Sequence, residues 1–320
     1  MATFGRFNSI ANRKGKGAKV FTLPYTVTGA PTITKSDGDN PGSLHTIQYL
    51  TTGSSGTFSC TADLSANLLI VSAGGNSNLI TPSSYLGGGG GGGGNVLVFE
   101  AFSNTMTTIK SGASLLMNVS DIASNASKIT ISSGSILSST GTEMTTAILT
   151  ATNSGANGDN LSGSNNTMYG NGAGGGGGAS GLGSSGYTSV GGSGNGTGSN
   201  GGSAGIITTT GRRSGGGGGG GGGAGGTAGG STVMSTSSTG FSNGGTGGLG
   251  TYCNFMAKRY GNGGAGGKSG GTTSSTAVNC VDGTPNTGNG GDGGYKSLSA
   301  PSKTTGYGGS GIVVIQVTIP

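Results

Sequence analysis

GGGGGGGGG, residues 215–223, is the longest of three uninterrupted glycine runs; eight glycines stand at 87–94 and five at 174–178. Glycine supplies 79 of the 320 residues, in blocks separated by inserts of ordinary complexity. A flexible linker would be Gly/Ser throughout. A collagen would keep glycine at every third position with abundant proline, and this chain has only 7 prolines. The second half of the chain is poor in large aliphatic side chains until Ile312. Side-chain burial there cannot offset backbone ordering, which costs roughly 1–2 kcal/mol per residue and most for glycine. Order therefore requires the backbone itself as packing material. Polyproline-II geometry provides it: three residues per turn, no internal hydrogen bonds, and every N–H and C=O directed outward. Buried polar groups must find partners, so such rods must bundle. The blocks predict rods at about 170–178, 191–202, 215–226, 241–250, 261–271, 283–294 and 306–311, with 87–94 as another.

Short stretches with strand-like composition flank these blocks. Val20–Thr28, Leu44–Thr51, Gly56–Thr61, Leu68–Ser72, Val96–Phe102, Ser114–Val119 and Lys128–Ser132 read as β-strands. Residues 140–168 are rich in Asn, Ser and Thr and read as loop. The chain closes with IVVIQVTI at 312–319, β-branched and apolar, which reads as a buried strand. The expected fold is mainly β plus a polyglycine-II helix bundle, the β module being closed by the C-terminal strand. Four regions follow: a basic arm and attachment region at 1–44, a β-rich module at 45–169, a rod bundle at 170–311, and the closing strand at 312–320.

The net charge of +6 is concentrated at the start. Residues 1–19 carry Arg6, Arg13, Lys14, Lys16 and Lys19 and no acid, interleaved with Phe4, Phe7 and Ile10. The aromatic interleaving points to protein docking, and nucleic acid is not the expected partner. Three cysteines do not make a disulfide framework. Cys253 and Cys280 could pair, though nothing in their spacing requires it. The single His45 reads as a surface residue. No apolar run is long enough to span a membrane, and the basic N-terminus is followed by no apolar signal-peptide core.

Chemistry-bearing motifs are near misses. GNGGAGGKSG at 261–270 lacks the first glycine of a phosphate-binding loop, where Asn262 stands. GNGGDGG at 288–294 offers one carboxylate to a calcium ion that needs six to eight oxygens. No nucleophile, base and acid set assembles around one histidine. The chain is expected to be no enzyme and to hold no cofactor or metal.

GTFSCTADLSANLLIVSAGG, then poly-glycine, NVLVFEAF, GASLLMNVS and a late YGGSGIVVIQV together resemble the glycine-rich domain of phage tail and other virion proteins. The alternation of glycine blocks with variable inserts is also similar to T-even-type tail-fibre tip adhesins. That resemblance implies a sandwich of polyglycine-II helices whose inserts contact a bacterial receptor. Residues 1–44 match no attachment motif of that family, so fibre tip, tail, neck and capsid all stay open as the mounting point.

If each rod runs opposite to the last, the inserts alternate between the two ends of the bundle. Inserts 203–214, 251–260 and 295–305 then share one end. They carry Arg212, Arg213, Lys258, Arg259, Lys296 and Lys303 with Tyr252, Phe255, Tyr260 and Tyr295, and no acid. The rod 306–311 runs into the closing strand, so its start lies at the far end, and these inserts are expected to form a distal receptor-binding tip. The expected role is a receptor-binding adhesin exposed on a virion. Its target would be a protein loop or lipopolysaccharide, and its arm (Phe4, Arg6, Phe7, Arg13, Lys14, Lys16 and Lys19) would attach to other virion proteins. A non-adhesive decoration, neck or capsid-fibre protein is the alternative. An ice-binding polyglycine-II protein would need regular triplets, Thr-bearing faces and disulfides, which are missing.

Overall fold

Val313, Ile315 and Val317 face one way along the C-terminal strand, Ile312 and Val314 the other, and all five are buried. A strand buried on both faces must lie inside a sheet with something packed on each side, and this one organises the fold. The computed structural model describes residues 22–53, 55–78, 88–100, 107–121, 126–145, 148–151, 245–267, 277–294 and 303–320. For four strands between 205 and 243 it describes the backbone alone.

The strands before the main glycine region are β1 (Tyr25–Val27), β2 (Thr32–Lys35), β3 (Leu44–Tyr49), β4 (Ser55–Cys60), β5 (Leu64–Val71), β6 (Ser77–Asn78), β7 (Val96–Phe99), β8 (Thr107–Ile109), β9 (Ser114–Asn118), β10 (Ser127–Ser133), β11 (Ile136–Leu137), β12 (Glu143–Met144) and β13 (Ile148–Ala151). After them come β14 (Gly205–Ile207), β15 (Arg212–Ser214), β16 (Thr232–Val233), β17 (Ser242–Asn243), β18 (Thr251–Cys253), β19 (Lys258–Tyr260), β20 (Thr305–Gly306) and β21 (Ile312–Thr318). The described chain is all β, without helices.

One sheet has the order β1-β4-β9-β10-β13. The other runs β12-β11-β8-β5-β21-β3-β2, with β7 also paired to β5. β21 is thus central, antiparallel to β5 (Ile312↔Val71) on one side and to β3 (Thr318↔Leu44) on the other. The β5 partner includes Leu68–Val71, most of the apolar stretch Leu68–Ser72 read as a strand from the sequence. The sheets face each other across a common core of Tyr25, Phe58, Leu115, Met117 and Ile129 against Ile47, Leu68, Ile70, Val313 and Ile315. Two expectations are corrected here. Residues 140–168 are not all loop, since β12 and β13 fall there and complete the two sheets. His45 is fully buried, because Tyr25 Oη meets its Nδ1 at 2.6 Å and the Gly38 carbonyl its Nε2 at 2.7 Å.

The glycine segments stack beyond the end of this sandwich. Gly88, Gly91 and Gly94 donate to the carbonyls of Gly294, Gly291 and Gly288. Gly264 and Gly267 donate to Gly91 and Gly88, and Gly263 and Gly266 to Gly248 and Gly245. Gly290 and Gly293 donate in parallel register to Asn262 and Ala265. Each series advances by three residues, whereas a strand ladder advances by two. Segment 288–294 bonds five neighbours (Gly75, 88–94, 262–265, Val281 and 309–310), and a strand in a sheet has two. Side-chain oxygens serve N–H groups that no backbone carbonyl reaches: Asn289 Oδ1 accepts from Asn262, Asp292 Oδ1 from Ala265, and Asn76 Oδ1 from Gly308. The rod expectations at 170–178, 191–202 and 215–226 lie outside the described residues.

Candidate functional site

Direction along the array follows from its junctions with the sandwich. β5 continues into 72–76, segment 88–95 leads into β7, and 306–311 leads into β21, so residues 72, 95 and 311 mark the sheet end. The registers then put Gly288, Gly261 and Gly250 at the sheet end, and Gly294, Gly267, Gly245 and Gly88 at the remote end.

The β18–β19 hairpin joins Gly250 to Gly261 and therefore sits at the sheet end, not at a distal tip. Its register pairs Tyr252 with Arg259 and Cys253 with Lys258. Cys253 and Tyr260 turn inward and, with Phe255 and Met256, cover Leu69, Val71, Ile312 and Val314 on the outer face of the larger sheet. Burial pushes the Cys253 thiol and the Tyr260 hydroxyl up to about 12. The buried Glu100 carboxylate holds the turn: Oε2 accepts from the Asn254 and Phe255 amides at 3.0 and 3.2 Å, and Oε1 from Asn254 Nδ2 at 2.6 Å. Arg259 stands 5.6 Å from the Tyr252 ring centroid, and Lys258 Nζ 5.5 Å from that of Tyr260. Among the described residues neither cation forms a salt bridge.

Lys303 lies at the remote side of the array, where Cys280 N–H donates to its carbonyl. Its ammonium pairs with Asp282 at 2.6 Å and stands 5.8 Å from the Tyr307 ring centroid. The Lys303 hydrogen bond holds the Asp282 carboxyl below its ordinary range. Arg212 and Arg213 lie on β15, which pairs with β14 and runs beside β17, two residues before Gly245. Tyr295 and Lys296 fall outside the described residues.

The expectation that inserts 203–214, 251–260 and 295–305 share one end is therefore corrected for 251–260. The physical reason is a descending segment that sequence reading counted as insert: Gly283 donates to the Tyr307 carbonyl and Val281 pairs with Asp292, so 280–283 belongs to the array. The extra segment thereby shifts the end at which 251–260 lies. The chain turns back at 284–287, where Thr287 Oγ1 donates to the Thr284 carbonyl. Asp282, on this descending segment, is thereby brought to Lys303. Glu100 was not singled out, because nothing in its local sequence indicates two amides arriving from residues 254 and 255. The cysteines are free, so Cys253 and Cys280 do not pair.

The family model described as Glycine-rich domain matches residues 51–318. The chain belongs to the glycine-rich domain family. The match includes both the sandwich and the glycine array, so the glycine-rich domain comprises nearly the whole of the described structure. No curated protein and no solved structure matches the chain significantly.

Proposed function

We propose that the glycine segments are polyglycine-II rods and that the domain is a receptor-binding adhesin on a phage particle. The three-residue advance of the inter-segment hydrogen bonds supports the rods, since three residues make one turn of such a helix. Bonding in five directions from 288–294 suits a hexagonal rod packing and not a sheet.

One observation carries the adhesin reading. The chain leaves and re-enters the array at its remote end at Asn78 and Gly88, at Gly267 and Ala277, and at Gly294 and Lys303, so 79–87, 268–276 and 295–302 are the inserts a stiff body would display there. With Arg212, Arg213, Tyr295, Lys296 and Lys303 they form the receptor face, directed at a protein loop or lipopolysaccharide. Residues 1–19 attach the domain to other virion proteins. Tyr252, Lys258 and Arg259, exposed at the sheet end over the inward-facing Phe255 and Tyr260, favour the second reading for that one surface: contact with a neighbouring virion subunit.

The test replaces 268–276 and 295–302 by Gly/Ser segments of equal length in particles assembled with this chain. Adsorption should fall at least roughly tenfold, which is about 1.4 kcal/mol of binding, while the purified protein keeps its melting temperature. Unchanged adsorption, or antibody labelling of 295–302 only after particles are dissociated, would assign the domain to decoration instead.

A further inference from the structure

A cleft of about 340 Å³ opens where the sandwich meets the glycine array. Its lining includes Thr52 and Asp121 from the sandwich loops, Asp282 from the descending segment of the array and Pro285 from its turn, and Tyr307 and Ser310 from the segment leading into β21. The walls are held in place by the backbone. The Tyr307 amide donates to Asp282 Oδ1 at 2.8 Å, and its carbonyl accepts from Gly283 at 2.8 Å. Ser310 Oγ accepts from the Asn286 amide and donates to Asn286 Oδ1. The Gly311 amide bonds the Ser120 carbonyl, and the Gly53 amide the Val119 carbonyl, so both sides of the cleft are tied to the end of β9.

We infer that this cleft is a saccharide-binding site, taking one or two pyranose units of a surface glycan. A sugar ring offers an apolar C–H face and a rim of hydroxyl donors. Tyr307, half-exposed with Lys303 over its ring, supplies an aromatic platform. The carboxylates of Asp121 and Asp282 accept hydroxyl hydrogens in charge-assisted bonds, and Thr52 and Ser310 add hydroxyls. Lys303 keeps Asp282 ionised and fixed in place. The neighbouring Gly283, Gly308 and Gly309 present backbone without side chains, which leaves room for a flat ring. A pre-formed concave site at the junction of two structural units is where small ligands bind.

The inference goes beyond the adhesin reading, because the cleft lining contains no residue of the remote inserts 79–87, 268–276 and 295–302, and only Lys303, beside Asp282 and Tyr307, is shared with the receptor face. The experiment uses the purified full chain with saturation-transfer NMR and calorimetry against glucose, galactose, N-acetylglucosamine and their β-linked disaccharides. At least one sugar should bind, and Tyr307→Ala or Asp121→Asn should weaken it tenfold or more without changing the melting temperature. Tyr252→Ala, on the hairpin, should leave it unchanged. No transfer to any of these sugars, or equal transfer in Tyr307→Ala, overturns the inference. Calcium bound in place of sugar and lost in Asp121→Asn would overturn it too, by assigning the cleft to a cation. Sugar bound at the cleft by a chain whose loop replacements adsorb normally would uphold this site and sink the adhesin reading separately.

Discussion

Gly264 lies so close to Gly291 that a β-carbon on Gly264 would stand 2.0 Å from the Gly291 carbonyl oxygen. The same holds along the array: Gly90 against Gly264, Gly290 against Gly91 and Gly308 against Gly74 all fall at 1.9–2.1 Å. Glycine is demanded there by backbone proximity.

Gly264→Ala should therefore destabilise the protein by about 3 kcal/mol, the upper part of the overpacking range, because the obstacle is backbone and cannot rotate away. Gly112 provides the contrast. Nothing lies within 4 Å of its β-carbon position, but its φ is +80°, so Gly112→Ala should lose only the cost of a left-handed residue, roughly 1–2 kcal/mol. Urea unfolding midpoints of the two variants test the order.

Glu100→Ala should free the β18–β19 hairpin from the sheet. It strands the Asn254 and Phe255 amides, at a cost of roughly 1–3 kcal/mol. Hydrogen exchange at those two amides should accelerate more than exchange in β5 and β21; equal acceleration everywhere would mean general destabilisation and no local latch.

Two aspartates should give opposite pH dependences. Burial raises the Asp292 pKa, only partly opposed by the Ala265 amide. The folded chain holds that proton more tightly, so this contribution is full at acid pH and lost as pH rises through the folded value. The Lys303 hydrogen bond lowers the Asp282 pKa, so its contribution is present at neutral pH and lost as pH falls through the folded value. Asp292→Asn keeps an oxygen for Ala265 and should stabilise the protein at neutral pH, whereas Asp282→Asn should weaken it slightly, given an exposed pair. Denaturation midpoints measured from about pH 3 to pH 7, across the carboxylate range, should show the two slopes changing in opposite senses.

Removing residues 312–320 should abolish soluble folding. β21 bonds β3 and β5 along its length and contributes to both hydrophobic clusters. A truncated chain that still melts cooperatively in circular dichroism would count against its central role.

The thiols should be silent in the native protein. Burial holds the Cys253 thiol up to about 12 and raises Cys60 and Cys280 as well. At pH 8 an aromatic disulfide reagent should titrate none of them quickly and all of them in denaturant; a fast native thiol would contradict the buried placement.

Much of this architecture is legible in the chain alone. The run at 312–315 is apolar on both faces, so it must be buried on both sides, and it is; the polar Gln316 and Thr318 follow on one face and are less buried. Leu64–Val71 contains the same kind of run and becomes its neighbour. The glycine blocks demand backbone-to-backbone packing because no other packing material is present, and the array meets that demand. The ends of the inserts are not legible. A glycine segment bears no side chain to mark where it begins, and Val281–Gly283 joins the array through bonds to Asp292 and Tyr307 that no local pattern announces. One uncounted segment sent the Tyr252–Tyr260 hairpin to the wrong end. Burial of His45 depends on Tyr25, twenty residues earlier, and the hairpin latch on Glu100, more than 150 residues before its amides. Composition and periodicity are properties of neighbours in sequence. Which end a loop occupies, and which buried polar group meets which, depends on the lateral order of segments, and long-range hydrogen bonds set that order only once the chain is folded.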